Sequence, residues 1–243
     1  MKKFVLPVLG ILMLGLSGCN KEKSDDIVFF RDIPAILGYD RTIGQAILIT
    51  PGETFLAPEL GDYLYYGLLL EDDALMTYFY VNRSRQPRQD YRTVTMYDWT
   101  IVDVASPIEA DESEIDKLVP IDSMFCYAFV QHDRINVLYC GFYHKDTYFR
   151  TFDYEMTFDD EETGDVPTLS VRAKEKGSQA LTKASFWWVY AFDMYEYLDT
   201  LERDSENKVR LNIRFKTGED DEENEIWDDI KGNPLIITFK EGE

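Results

Sequence analysis

The sequence consists mainly of short segments rich in aromatic and β-branched residues, separated by residues that favour turns, such as Gly, Pro, Asp and Asn. Few stretches place apolar residues at the spacing of a helix over about ten residues or more. Aromatic and β-branched side chains favour strands, whose residues alternate between two faces. The pattern therefore predicts an all-β fold.

The turn residues divide each half of the chain into predicted strands. In the first half these cover residues 28–37, 45–50, 54–57, 63–70, 76–81 and 91–104. In the second half they cover residues 123–130, 135–143, 148–158, 168–174, 186–192, 208–216 and 234–240. The apolar residues of segment 193–201 lie at helical spacing, so one short helical turn is expected there.

The segment 106–117 interrupts this pattern with Pro107 and five acidic residues. Domain boundaries fall in exposed, polar segments that often contain Pro. We therefore predict a first domain over 28–107, a linker over 108–122 and a second domain over 123–243. Seven short strands in the second domain favour a two-sheet β-sandwich over a barrel.

The N-terminus has the order of features found in a bacterial secretion signal. Lys2 and Lys3 precede an apolar run over 4–16, which is too short to span a bilayer. Leu16-Ser17-Gly18-Cys19 then resembles the bacterial lipobox, in which the cysteine is acylated and the chain is cut before it. We predict a signal peptide over 1–18, a lipid on Cys19 and a tether over 19–27. The alternative is an ordinary secreted protein with a stray thiol at Cys19.

A lipidated N-terminus would hold the protein at a membrane outside the cytoplasm. Asn20 is not the Asp that retains lipoproteins in the inner membrane of enteric bacteria. The acidic residues that follow Cys19 resemble a surface-export signal. These features favour the outer membrane and leave open whether the protein faces the periplasm or the cell surface.

The chain is strongly acidic. Its formal charge of −21 becomes −23 when Lys2 and Lys3 leave with the signal peptide. Such a surface repels phosphate backbones, which excludes nucleic acid as an expected partner. It would suit a basic partner or divalent cations, and it also keeps a protein soluble.

Besides Cys19, the chain contains Cys126 and Cys140, in a compartment where disulfides form. They flank a polar segment centred on Asp133, which indicates a turn between two strands. If the strands pair around that turn, the two cysteines face each other. A disulfide between them would be strained, because directly opposed strand residues are slightly too far apart. Two buried free thiols are the alternative.

Several segments resemble the NigD-like lipoproteins of Bacteroidetes. The segments that carry the resemblance are AILITPGETFLAP over 46–58, Gly61-Asp62-Tyr63, the strand over 93–107, the Phe-Asp turn over 192–201 and the strand over 208–215. The resemblance implies an N-terminal OB-like barrel, a C-terminal immunoglobulin-like β-sandwich and a lipid anchor. The sequence departs from the family at 50–53, where Thr-Pro-Gly-Glu replaces an Asp-Asp-Gly turn. The resemblance implies no reaction.

The usual catalytic motifs are absent from the sequence: a Gly-rich phosphate loop, His-Glu-x-x-His, Cys-x-x-Cys and Gly-x-Ser-x-Gly. The two histidines, His132 and His144, have no nucleophile beside them on a predicted rigid turn. Nothing singles out a pair of carboxylates for glycoside hydrolysis. We therefore predict that the protein is not an enzyme, with a hydrolase as the least favoured function.

Two acidic runs, over 159–165 and 219–225, contain the oxygen ligands that calcium prefers. Neither has EF-hand spacing with a central Gly. Solvated loops are the favoured interpretation, calcium binding is the alternative, and no other cofactor is expected.

Trp187 and Trp188 are candidates for stacking against a sugar, as are the tyrosines of segment 63–66. Strand alternation predicts that one member of each adjacent pair is buried and the other exposed. Our leading hypothesis is a non-enzymatic module of the envelope that contacts another protein. The alternative is a carbohydrate-binding lipoprotein.

Overall fold

The structure is a computed structural model that describes residues 26–83, 91–110, 113, 119–132, 135–148, 151–158, 166–176 and 180–239. The predicted signal peptide, Cys19 and the tether as far as residue 25 lie outside the described residues, as does the acidic run 159–165. Among the described residues, none lies in a helix long and apolar enough to cross a bilayer.

The fold is all-β, as predicted, and begins with a closed five-stranded barrel. Its strands are β1 (Ile27–Asp40), β2 (Gln45–Ile49), β3 (Thr54–Leu56), β4 (Ala74–Asn82) and β5 (Arg92–Ile101). They lie in the order β1-β2-β3-β5-β4, and β4 pairs with β1 to close the barrel. Large apolar side chains fill the interior, including Leu37, Leu48, Phe55, Leu75 and Phe79. Five strands suit an OB fold, and that assignment stays a prediction.

The segment between β3 and β4 is helical, so the strand predicted over 63–70 is wrong. A 3-10 turn (Pro58–Leu60) leads into the short helix α1 (Gly61–Tyr65). Leu60 and Leu64, which lie one helical turn apart, both pack against the barrel interior. Their spacing favours a helix over a strand.

Gly67 ends this helix. Its φ of 67° lies in the left-handed region, which favours glycine. The Gly67 N–H donates to the Leu64 carbonyl at 3.1 Å, and the Leu68 N–H donates to the Tyr63 carbonyl at 2.9 Å. This is the Schellman pattern, which satisfies the last carbonyls of a helix.

The second half of the chain forms two sheets that enclose one core. Their strands are β6 (Val104–Ala105), β7 (Ile108–Glu109), β8 (Ser123–His132), β9 (Ile135–Thr147), β10 (Thr151–Phe158), β11 (Thr168–Lys176), β12 (Ala184–Asp193), β13 (Lys208–Glu219), β14 (Glu225–Asp229) and β15 (Leu235–Thr238). One sheet has the order β6-β12-β9-β8. The other has the order β14-β13-β11-β10-β7, with β15 also paired to β13. The expected helical turn is α2 (Tyr195–Asp199). Whether this sandwich is immunoglobulin-like stays a prediction.

The chain enters this sandwich earlier than the predicted limit of the first domain at residue 107. The last barrel strand ends at Ile101, whereas β6 pairs with β12 and β7 pairs with β10. Residues 104–109 therefore lie in the sandwich sheets. Pro107 separates β6 from β7, and because it lacks an N–H it suits the point where the chain leaves one sheet for the other. The division into two domains stays a prediction.

The barrel packs on the outer face of the four-stranded sheet. The buried residues of this contact come from both sides: Ile36, Ile47, Ile49, Leu56 and Val102 from the barrel segment, and Val130, Val137, Tyr139 and Ala191 from the sheet. The Tyr139 hydroxyl is buried and donates a hydrogen bond of 2.6 Å to the Ala35 carbonyl in β1. This directional hydrogen bond within an apolar contact fixes the position of the barrel on the sheet.

Replacing Tyr139 with Phe should lower the free energy of unfolding by about 1–2 kcal/mol, because it removes a buried hydrogen bond. Urea denaturation followed by fluorescence measures the change. Tyr127→Phe is the matched control, since the Tyr127 hydroxyl also donates to a β1 carbonyl, that of Asp32 at 2.6 Å, but at an exposed position. The control should lose less than about 0.5 kcal/mol. Equal losses of unfolding free energy in the two variants would show that burial of the hydrogen bond does not determine its contribution to stability.

Candidate binding surfaces

His144 is held by structural contacts rather than presented for catalysis. Its Nδ1–H donates to the Pro120 carbonyl at 3.1 Å, and its Nε2 accepts a hydrogen bond of 2.8 Å from the Tyr154 hydroxyl. The imidazole also stacks on Phe152, with ring centroids 3.9 Å apart. Burial lowers the pKa of His144 below its ordinary value. The neutral His144 ring is therefore part of the core. For His132, the structure describes only the backbone.

The acidic run 219–225 is not simply a solvated loop, because its last residue begins β14. The Lys216 ammonium binds Glu219 at 2.7 Å and Glu225 at 3.1 Å. Arg172 also contacts Glu225, at 3.0 Å. These cations already neutralise both carboxylates. Among the described residues no group of three or more His, Cys, Asp or Glu side chains could hold a metal ion, and calcium binding stays an untested prediction.

Cys126 and Cys140 are directly opposed on the hairpin of β8 and β9, in the register that the sequence predicts. Both carry free thiols in the structure. Burial raises the pKa of the Cys140 thiol, which keeps it protonated and unreactive at neutral pH. The disulfide between them stays a prediction.

Trp187 and Trp188 point to opposite faces of β12, as strand alternation requires. Trp188 packs against the sandwich core, while Trp187 is 55% exposed on the outer face of the four-stranded sheet. The structure therefore leaves only Trp187 available for stacking. Its use by a ligand stays a prediction.

Trp187 belongs to an aromatic group that we call the Trp187 surface: Phe125, Tyr127, Tyr143 and Trp187. The centroid of the Trp187 ring lies 4.9 Å from that of Tyr143 and 5.4 Å from that of Phe125. Gly141 leaves room for this arrangement, since a Cβ there would lie 2.3 Å from the Phe125 ring. The barrel covers the neighbouring half of the same sheet face, around Tyr139.

Polar groups lie beside the Trp187 surface. Ser185 precedes Trp187 by two positions and so lies on the same face of β12. Its hydroxyl accepts a hydrogen bond of 3.0 Å from the Asp146 N–H. Hydroxyl and carboxylate groups next to an exposed indole are the elements that a sugar-binding surface needs.

A group of highly exposed apolar side chains lies at one end of the barrel. Tyr65 is 83% exposed and Tyr66 is 71% exposed, so the prediction that one of them is buried is wrong. Strand alternation does not apply to them, because α1 and its C-cap turn both side chains outward. Leu68 and Leu70, each 63% exposed, extend the same surface.

This surface borders a groove with a volume of about 570 Å³. The groove runs between the β1–β2 turn and α1, and its lining residues are Tyr39, Gly44, Gln45, Ala46, Pro58, Gly61, Asp62, Leu64 and Tyr65. We call the groove together with Tyr66, Leu68 and Leu70 the barrel tip. An ion pair of 3.8 Å between Arg41 and Glu71 joins its two loops. The sequence indicated the tyrosines of 63–66 as candidates for ligand contact, but it did not predict the helix that presents them or the groove, although Gly67 at a helix C-terminus was a signal for that helix.

Solved structures share the fold over nearly the whole chain. An uncharacterized protein from Parabacteroides merdae superposes with a TM-score of 0.62 at 12% identity, covering 84% of this chain and 96% of that chain. A NigD-like immunity protein from Bacteroides caccae has a TM-score of 0.53 at 14% identity, and the match covers 87% of this chain and 96% of that chain. A candidate lipoprotein from Bacteroides fragilis has a TM-score of 0.54 at 15% identity, and the match covers 89% of this chain and 99% of that chain.

The chain therefore shares its fold with structures that include a NigD-like immunity protein and a candidate lipoprotein. The resemblance expected from the sequence is confirmed at the level of the fold, since identities this low show the fold alone. None of the three is named as an enzyme. No family model matches the chain, and no curated protein matches its sequence.

The lowered pKa of His144 predicts a loss of stability in mild acid. In the unfolded chain, His144 takes up a proton as the pH falls through about 6.5, whereas the buried ring resists protonation. Proton uptake therefore stabilises the unfolded state relative to the folded state, and the free energy of unfolding falls. Between pH 7.5 and 5.5 the wild type should therefore lose more unfolding free energy than His144→Gln, by at most about 1.4 kcal/mol per pH unit. Urea titrations at both pH values measure this, and parallel losses would contradict it.

Proposed function

We propose that this chain is a non-enzymatic binding protein of the cell envelope, anchored by a lipid on Cys19, which contacts another protein through the barrel tip. The observation that carries the proposal is the exposure of Tyr65, Tyr66, Leu68 and Leu70 beside a groove. Contiguous exposed apolar side chains rimmed by polar residues mark interaction sites. Tyrosines in particular are enriched at protein interfaces.

The barrel tip is placed well for a protein that is anchored at its N-terminus. β1 begins at Ile27, the last residue of the predicted tether, and ends at Asp40 beside the groove. The N-terminal end of β1, which the tether leads into, and the tip therefore lie at opposite ends of one long strand. This arrangement leaves the tip accessible to a partner while the N-terminus stays at the membrane.

The charge of the protein favours a partner with basic residues around its apolar contact. The barrel tip includes the Asp62 carboxylate, and the mature chain as a whole carries a formal charge of −23 after loss of Lys2 and Lys3 from −21. Complementary charge of this kind steers association and fixes its orientation more than it adds affinity. Association should accordingly slow as salt concentration rises.

Carbohydrate binding is a second candidate function, favoured by the Trp187 surface. There Trp187 is exposed, and Ser185, two positions before it on β12, is hydrogen-bonded to Asp146. The Ser185 hydroxyl and the Asp146 carboxylate could accept hydrogen bonds from a sugar. A glycan array probed with the full mature chain tests it. Signal that is lost in Trp187→Ala and kept in Tyr66→Ser would assign glycan binding to this surface.

The anchor is tested by metabolic labelling. When the chain is expressed with its signal peptide, a palmitate analogue should label the protein, and Cys19→Ala should abolish the label, because the acylated thiol is absent. Cys126→Ala is the control, since that cysteine lies inside the folded sandwich and should leave labelling unchanged. Persistent labelling of Cys19→Ala would refute the anchor.

The tip is tested by site-specific photo-crosslinking in the native cells. A benzophenone amino acid at position 66 should give one discrete protein adduct, while the same group at the fully exposed Leu181 of the sandwich should not. The double variant Tyr65→Ser, Leu68→Ser should lose the adduct yet unfold at the same urea concentration, since both side chains are exposed. Equal adducts at positions 66 and 181, or none at position 66, would count against the tip.

A further inference from the structure

A second exposed aromatic group lies on the outer wall of the barrel, away from the tip. We call it the flank patch: Phe29 of β1, Tyr78 and Tyr80 of β4, and Tyr97 of β5. Phe29 is 56% exposed and Tyr97 is 61% exposed. Three adjacent strands therefore present aromatic rings to the outside in one continuous group.

The flank patch depends on a β-bulge. Tyr78 pairs with Asp98 and Phe79 pairs with Met96, so Tyr97 is the extra residue of β5. A bulge re-aims a side chain relative to the regular alternation of a strand. Here it brings Tyr97 onto the outer wall, where its ring stacks on Tyr78 with centroids 4.9 Å apart and an interplanar angle of 14°. Phe29 closes the group, 5.7 Å from Tyr80.

The patch lies where the tether joins the barrel. Ile27, the first residue of β1, pairs with Asn82, and Phe29 follows two residues later. Even when fully extended, the chain from Cys19 to Ile27 spans at most about 28 Å. A lipid on Cys19 would therefore keep the flank patch within reach of the headgroups of the same membrane.

We propose that the flank patch rests in the headgroup region of the membrane that carries the lipid anchor. Tyrosine rings favour this zone, because their apolar body and polar hydroxyl match the boundary between acyl chains and water. The proposal rests on the anchor at Cys19. It adds a defined contact to what would otherwise be a single point of attachment.

The charges around the patch favour zwitterionic lipid. Arg31 lies over the Tyr78 ring at 5.9 Å, and the Asp32 carboxylate 3.7 Å away offsets its charge. Asp98, next to Tyr97, is exposed. Because the flank patch has no net positive charge, its contact with the membrane depends on the aromatic rings. The strength of that contact should therefore change little with salt concentration.

The flank patch and the barrel tip can be engaged at the same time. Phe29 and Tyr39 lie near opposite ends of β1, where Phe29 pairs with Tyr80 of β4 and Tyr39 pairs with Ala46 of β2. A flank that rests on lipid would therefore leave the groove side available to a protein partner.

The test places a reporter in the patch and a quencher in the lipid. The full mature chain, with Cys19→Ser and an N-terminal histidine tag in place of the lipid, is held on phosphatidylcholine vesicles that contain a nickel-chelating lipid. Phe29→Trp supplies the reporter, and Tyr65→Trp, at the tip, is the matched control. The vesicles are prepared with or without phosphatidylcholine brominated near the headgroup.

Bromine should reduce the added fluorescence of Phe29→Trp at least about twofold, because quenching requires contact, and it should leave Tyr65→Trp like the wild type, which has four tryptophans of its own. Adding Tyr78→Ser and Tyr97→Ser to Phe29→Trp should restore the emission. Equal quenching at positions 29 and 65 would overturn the proposal. Since the tag replaces the lipid, this result is independent of whether Cys19 is acylated in the cell.

Discussion

The contact between the barrel and the four-stranded sheet determines which surfaces of this protein are exposed. Ile36, Ile47 and Ile49 on the outer wall of the barrel pack against Val137 and Tyr139 on the outer face of that sheet. The Tyr139 hydroxyl reaches the Ala35 carbonyl within this apolar contact. Burial of apolar side chains drives the association, and the single hydrogen bond adds direction to it.

Because the barrel covers only part of the sheet, the uncovered part keeps an exposed aromatic group around Trp187. The barrel itself retains two further apolar surfaces, the tip at the end of β1 and the flank patch near its beginning. Soluble proteins rarely expose large contiguous apolar areas without a use for them. The described residues thus form three exposed apolar surfaces, whereas His144 is held by packing.

The barrel tip shows how local sequence can mislead. The aromatic residues of 63–66 resemble a strand when they are considered alone, and their β-propensity predicts a strand over 63–70. Leu60 and Leu64 contain the opposite signal, since their spacing buries both in the barrel from one face of a helix, and Gly67 caps that helix. Tertiary burial of the leucines outweighs the propensity of the exposed tyrosines.

The sequence by itself determined the all-β class, most strand positions, the helical turn after β12 and the opposition of Cys126 and Cys140, because these follow from side-chain alternation and from turns close in the chain. It could also indicate that Trp187 and Trp188 face opposite ways. Only the tertiary structure decided which of the two is exposed, that residues 104–109 join the sandwich, and that Tyr65 and Tyr66 both face outward. Those outcomes depend on which faces the barrel and the sheets cover, and contacts between residues far apart in the chain leave no local pattern.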